Sequence, residues 1–246
     1  MNACKRKENG KMKEIVFILL LLTFAVSEAG ASIKGTPHDV NVMRNSGKEL
    51  ETCAMCHTPH SSVDATPLWD RHQLPQNYAM YESPTFDMNE QKELQPPSTY
   101  CMTCHNGVSS GLVNYPGPGS KINPLYNISD NDSLFSAFSN MGTDLKNNHP
   151  VSFTYDPSLD VDNNGFPYPR PVGAGGGKAV VGSRGKYPLY GAGGDQFECS
   201  TCHDVHNTVD YAGKGLAKKE SSGRQIYFLR ADNSGSGMCT DCHVNR

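Results

Sequence analysis

The stretch Cys53-Ala-Met-Cys56-His57-Thr-Pro-His60 contains the pattern that decides the fold. The pattern, Cys-x-x-Cys-His, recurs at residues 101–105, 199–203 and 239–243, and the four copies are called motifs I to IV in chain order. In a c-type haem, two thiols bond to the two vinyl groups of the porphyrin, and the imidazole of the next residue binds the iron as the proximal ligand. Chance supplies about 0.01 copies in a chain of this length, so the sequence predicts four covalent haems.

Eight cysteines and four histidines carry this prediction. The thiols expected to bond to haem are those of Cys53, Cys56, Cys101, Cys104, Cys199, Cys202, Cys239 and Cys242, and the expected proximal iron ligands are His57, His105, His203 and His243. Disulfides and zinc are the alternatives. A disulfide does not require a histidine after every second cysteine, and a zinc site usually draws a second ligand pair from a distance.

The first 31 residues are predicted to be a secretory signal peptide. Lysines and an arginine precede an apolar run over residues 15–26, and small residues follow it. Cleavage is expected after Ala29 or Ala31, which leaves a chain with no membrane span. An uncleaved anchor is the alternative, but twelve apolar residues are few for a bilayer. The expected destination is the cell surface or the extracellular space, and otherwise the periplasm.

Five histidines lie outside the motifs, and four of them are candidate distal ligands of iron. His60 and His206 each stand three residues after a proximal histidine and project the same way as it does, so each must ligate another haem or none. The chain then reads as two dihaem halves, about 32–110 and 145–246. Each half has a lone histidine, a motif extended by x-x-His, and a plain motif; the four candidates are His38, His60, His149 and His206.

The simplest arrangement gives His60 to motif II and His206 to motif IV. His38 and His149 then ligate the two remaining irons. Either one could instead ligate an iron in the other half of the chain or in a neighbouring subunit. The repeat does not use His72, which is expected to be a surface residue or to contact a haem propionate. Ordinary surface histidines are the alternative for all four candidates.

Composition limits the fold and the partners. Of 246 residues, 37% are hydrophobic, 24 are Gly and 16 are Pro, which excludes a polytopic membrane protein and argues against a coiled coil. The formal net charge of -3 leaves no basic footprint for nucleic acid. We expect one tetrahaem domain over residues 32–246, mostly irregular and loop-rich, with a few short helices and short strands packed around four haems.

The region between motifs II and III carries four further predictions. Residues 131–141 are predicted to form a short helix, residues 149–155 to be extended, and the glycine-rich residues 173–194 to be irregular. Asp160, Asp162 and Asn164 match the opening of an EF-hand calcium loop. Its twelfth position is Pro171 rather than Glu, so an Asx-rich turn is favoured and a structural calcium is the alternative. Residues 225–230, after motif III, are also predicted to be a strand.

Residues 53–60 together with Asn148-His-Pro-Val-Ser-Phe153 resemble secreted tetrahaem c-type cytochromes, most of all the OmcE-like extracellular cytochrome nanowires of metal-reducing and related prokaryotes. The resemblance implies a chain of bis-histidine haems in a loop-rich fold. It also implies subunits that stack end to end into a homopolymer. The distal-histidine pattern of that family falls on His60, His149 and His206, and on His38.

Four distal candidates allow every iron to be closed by two imidazoles, a ligation that favours a low potential and leaves no site for a substrate. We therefore expect an electron carrier and no enzyme, with redox proteins or extracellular acceptors as partners. A soluble periplasmic tetrahaem shuttle is one alternative. A multihaem reductase is the other, and it would need an open iron beside acid–base groups.

Overall fold

The computed structural model describes residues 33–44, 50–58, 62, 67–71, 77–90, 93–107, 140–162, 165, 167–173, 179–206, 218–219, 225–226 and 228–244. The chain divides into two compact units, Met1–Ala31 and Ser32–Arg246, and every described residue belongs to the second. The predicted signal peptide lies outside the described residues. None of the helices within these ranges has the length and apolar character that crossing a membrane requires.

The described helices are short, and each motif lies on one of them. The α-helices are α1 (Val40–Arg44), α2 (Ser98–His105), α3 (Cys199–Cys202) and α4 (Gly237–Cys242), and 3-10 turns cover Thr52–Met55 and Ser234–Ser236. Motif I begins on the first of these 3-10 turns, and motifs II, III and IV lie on α2, α3 and α4. A Cys-x-x-Cys-His sequence needs only one turn of helix to place its three functional side chains.

The described strands are two or three residues long. They are β1 (Asn89–Glu90), β2 (Phe153–Thr154), β3 (Ala179–Val181), β4 (Lys186–Pro188), β5 (Gln196–Phe197), β6 (Lys218–Lys219) and β7 (Gln225–Ile226). β2 lies between β1 and β5 in an antiparallel sheet, while β3 pairs with β4 and β6 with β7. In the three-stranded sheet Phe153 faces Phe197, so this sheet brings the segment after His149 against the start of motif III.

Among the described residues, the buried apolar side chains form three small clusters instead of one aliphatic centre. The largest contains Phe153, Tyr155, Val180, Tyr187, Leu189, Phe197, Ala231 and Met238, with Cys202 and Cys242 packed against it. The second contains Val40, Ala54 and Met55, with Cys56 and Cys104 against it, and the third contains Leu94, Met102 and Leu145. The second cysteine of each motif therefore faces apolar surroundings.

The expectation that residues 173–194 are irregular is wrong for the part that forms the β3–β4 hairpin. The turn of this hairpin wraps around the carboxylate of Asp241, which lies between the two cysteines of motif IV. Four groups donate hydrogen bonds to that carboxylate at 2.8 Å: the Ser183 amide, the Ser183 hydroxyl, the Arg184 amide and the Tyr187 hydroxyl. A Cβ at Gly182 would collide with the Asp241 side chain, so glycine is required there.

Other predictions for this region meet the structure only in part. The extended stretch 149–155 contains β2, and the strand predicted at 225–230 contains β7. The predicted helix 131–141 lies outside the described residues except for its last two positions. In the candidate calcium loop, the Gly165 amide donates to the Asp162 carbonyl and the Tyr168 amide to the Asp160 carbonyl, both at 2.9 Å, while Asn164 is outside the described residues.

Candidate functional site

Three of the four proximal histidines lie in the same backbone arrangement. Each forms an isolated antiparallel bridge with the middle residue of a three-residue stretch, called here its bridge segment. The bridge segments are residues 68–70 for motif I, 228–230 for motif III and 168–170 for motif IV. The bridged pairs are His57 with Trp69, His203 with Leu229, and His243 with Pro169.

Two backbone hydrogen bonds close each bridge. At motif I, the Thr58 amide donates to the Leu68 carbonyl at 3.0 Å, and the Asp70 amide donates to the Cys56 carbonyl at 2.9 Å. Equivalent bonds of 2.7–3.1 Å close the other two bridges. At motif III the Asp204 amide donates to the Phe228 carbonyl and the Arg230 amide to the Cys202 carbonyl. At motif IV the Val244 amide donates to the Tyr168 carbonyl and the Arg170 amide to the Cys242 carbonyl. Leu68 and Phe228 both have a φ of 63°, so the bridge segments of motifs I and III share a left-handed residue.

Motif II is held in another way. Its helix, α2, is eight residues long and includes His105, whose carbonyl accepts a hydrogen bond from the Met141 amide at 2.8 Å. Within the helix the Thr103 hydroxyl donates to the Tyr100 carbonyl at 2.7 Å. A longer helix thus replaces the bridge segment that the other three motifs use.

Three pairs of histidine rings have similar centre-to-centre distances, with ring planes inclined by 26° for His57 and His206, 56° for His38 and His105, and 65° for His149 and His243. The ring centres are 6.0 Å apart for His57 and His206, 6.0 Å for His38 and His105, and 6.3 Å for His149 and His243. Two imidazoles bound on opposite sides of one iron have ring centres about 6.2 Å apart, because a metal–nitrogen bond is about 2.0 Å and the ring centre lies about 1.1 Å beyond the nitrogen. Each pair therefore joins a proximal histidine to a distal candidate at the spacing that one iron requires.

The structure pairs these histidines differently from the simplest arrangement. His206, expected at motif IV, lies beside His57 of motif I, and His149 lies beside His243 instead. The sheet explains the second pairing, because the β2–β5 pairing stacks His149 on Phe197 with ring centres 5.3 Å apart. His60 and His72 lie outside the described residues, and the fourth proximal histidine is His203.

His38 lies between motif II and motif III. Its ring stacks on Phe228, in the bridge segment of motif III, with ring centres 4.7 Å apart. Burial, followed by the nearby charges of His105, His203 and His206, lowers the pKa of His38 to about 4. A neutral imidazole is the form that binds a metal.

The eight motif cysteines are free thiols, so none of them forms a disulfide. Burial raises the pKa of Cys56 to about 12, with Cys104 next in effect, and it raises the pKa of Cys202 to about 12, with Cys242 next. A hydrogen bond links the Cys101 and Cys199 side chains and raises the pKa of Cys101. The second thiols of motifs I and II pack against one apolar cluster and those of motifs III and IV against another, while the hydrogen bond between Cys101 and Cys199 joins motifs II and III.

Glu198 joins motifs II and III. This fully buried residue is the N-cap of α3, and its Oε2 accepts hydrogen bonds from the hydroxyls of Ser98 at 2.5 Å and Ser152 at 2.9 Å. Ser98 begins α2 and also accepts a hydrogen bond from the Cys199 amide at 2.9 Å. Burial raises the pKa of Glu198 to about 7. One carboxyl group thus ties together the first turns of two motif helices.

The donor set suits a haem better than a bare metal ion. Within the described ranges, no three or more His, Cys, Asp or Glu side chains converge as zinc or calcium would need. A haem iron would take only two protein side chains, and each histidine pair could supply both. Beside motif I, the buried Trp69 Nε1 has no hydrogen-bond partner, and the Trp69 ring lies 5.7 Å from that of His57. A polar group from outside the chain, such as a haem propionate, would satisfy it.

No protein-family model matches the chain, and a comparison with curated proteins finds no match either. The functional assignment therefore depends on the residues and geometry described above.

Proposed function

We propose that this protein is a tetrahaem c-type cytochrome that transfers electrons through four covalently bound haems and catalyses no reaction of its own. The three histidine pairs, 6.0–6.3 Å apart, carry the proposal. Bound haem supplies reversible one-electron chemistry at iron. The chain supplies thiols that attach each porphyrin and imidazoles that cover both faces of the iron, so that small molecules have no position to bind.

The pairing follows the internal repeat. In each half, the lone histidine faces the plain motif: His38 faces His105, and His149 faces His243. His206, which extends motif III in the second half, faces His57 in the first half. The counterpart of His206 in the first half is His60, so we propose His60 as the distal ligand of the iron bound by His203. The two extended motifs then exchange distal ligands.

Wild-type protein is expected to hold four haems per chain, one for each motif. The pyridine haemochrome assay gives haem per chain, and mass spectrometry gives the number that survive denaturation. The oxidised protein is expected to be entirely low-spin and unchanged by cyanide or nitrite, because both faces of each iron are occupied. Fewer than four haems would contradict the proposal, and a high-spin signal that shifts with nitrite would favour a reductase.

We further propose that the cytochrome assembles end to end into an extracellular filament. The sequence resemblance supports this, and the contacts between motifs I and II, II and III, and III and IV would suit a continuous haem chain. Negative-stain microscopy of material sheared from expressing cells is expected to show filaments that cells lacking the gene do not produce. Small monodisperse particles at every concentration would instead favour the periplasmic shuttle.

A further inference from the structure

Each of the three bridged motifs is contacted by one arginine. Arg71 Nε donates a hydrogen bond to the Met55 carbonyl at 2.7 Å, and Arg230 Nε donates to the Ser200 carbonyl at 2.8 Å. Arg170 Nε donates to the Asp241 carbonyl. All three carbonyls belong to residues that lie between the two cysteines of a motif. Arg170 and Arg230 end their bridge segments, and Arg71 directly follows its own.

The physical need for these arginines comes from the shortness of the helices. A helix of about one turn leaves its carbonyls without intrahelical partners, and a cation at its C-terminal end satisfies them and complements the helix dipole. The guanidinium groups are themselves held in place. Arg71 is fully buried and its Nη2 lies 3.1 Å from Met55 Sδ, while Arg230 also contacts Asp204 at 3.0 Å and the Tyr190 hydroxyl at 3.2 Å.

The three charges lie close to equivalent atoms of their motifs. Each guanidinium binds a carbonyl one or two residues before the second cysteine of its motif: Met55 before Cys56, Ser200 before Cys202 and Asp241 before Cys242. A positive charge therefore lies near the second thiol of each bridged motif.

We propose that Arg71, Arg230 and Arg170 are positioning residues of motifs I, III and IV, an inference that rests on the proposed haem attachment. Each holds the turn between the two cysteines in the shape that presents both thiols and the imidazole to one porphyrin. Each also fixes a positive charge beside the second attachment point. Because oxidised haem carries one more positive charge than reduced haem, that fixed charge raises the midpoint potential of the haem it adjoins.

The test uses purified holoprotein carrying Arg71→Gln or Arg71→Lys. The matched control is Lys186→Gln, which removes one positive charge from an exposed side chain of β4. Spectroelectrochemical titration is expected to show one of the four redox components shifted to lower potential in Arg71→Gln. Arg71→Lys keeps the positive charge, so its midpoint potential is expected to match that of the wild type. It loses the hydrogen bond to the Met55 carbonyl, so it is expected to unfold at a lower guanidinium chloride concentration.

Arg230→Gln and Arg230→Lys repeat the test at an independent motif. If a glutamine variant is recovered with three haems instead of four, attachment at that motif has failed and the positioning role is supported. The inference is overturned if Arg71→Gln and Arg230→Gln retain four haems and their titration curves match that of Lys186→Gln. That result would leave the proposed function intact, whereas wild-type protein without haem would remove both.

Discussion

Replacing His206 by alanine is expected to open the iron held by motif I and to leave the other three irons closed. The ring of His206 lies 6.0 Å from that of His57, so removing it takes away the sixth ligand of that iron alone. One quarter of the haem should become high-spin in the oxidised protein and should then bind cyanide. Electron paramagnetic resonance and the visible absorption spectrum measure both changes. An entirely low-spin His206→Ala protein would contradict the pairing.

Double variants identify which iron is affected. His57 and His206 are expected to serve the same haem, so His57→Ala combined with His206→Ala should leave three of the four haems low-spin and insensitive to cyanide. His243→Ala combined with His206→Ala affects two haems and should leave two. If instead the His57→Ala, His206→Ala protein keeps two low-spin haems and the His243→Ala, His206→Ala protein keeps three, His206 belongs to motif IV. His72→Ala is the control, and it should leave all four haems low-spin because the repeat does not use His72.

Preventing haem attachment is expected to abolish cooperative folding. The expected loss is the whole free energy of unfolding of a domain, about 5–15 kcal/mol. In the described residues the buried valine, leucine and isoleucine side chains are only Val40, Leu94, Leu145, Val180 and Leu189. The apolar clusters also include thiol groups that would bond to porphyrin. Under the proposed function, four large flat porphyrins would supply the missing core, as structural metals do in small domains.

The measurement compares two chains that differ only at the motifs. Replacing all eight motif cysteines by serine blocks attachment and leaves the rest of the sequence unchanged. Far-UV circular dichroism in increasing guanidinium chloride should show a sigmoidal transition for the holoprotein and a gradual drift for the serine variant. A sigmoidal transition in the haem-free chain would show that the polypeptide forms a sufficient core by itself.

The haem-attachment chemistry stays a prediction, and the sequence alone makes it because the pattern that indicates it is local. Two cysteines and a histidine within five residues define each predicted attachment site, and the repeat selected His38, His60, His149 and His206 as candidates without any structure. The pairing could not be predicted, because it depends on contacts between distant segments. Only the antiparallel pairing of β2 with β5 brings His149 to its place, and nothing near either histidine in the sequence encodes that pairing.

The positioning arginines have a sequence signal that becomes visible only once the bridge segments are known. In all three cases an aromatic residue precedes the arginine by two positions: Trp69 before Arg71, Tyr168 before Arg170, and Phe228 before Arg230.

The hairpin that receives Asp241 could not be predicted for another reason. Glycine-rich composition indicates irregular structure, but Gly182 is present because the carboxylate leaves no room for a Cβ.

The exchange of ligands between the halves has a consequence for biogenesis. His206 follows His57 by 149 positions in the chain. A secreted polypeptide emerges from its translocon with the amino terminus first, so under the proposed ligation the first iron acquires its proximal imidazole long before its second one arrives. Premature termination between residues 57 and 206 would therefore release a product with a reactive iron, which peroxide or nitric oxide could attack.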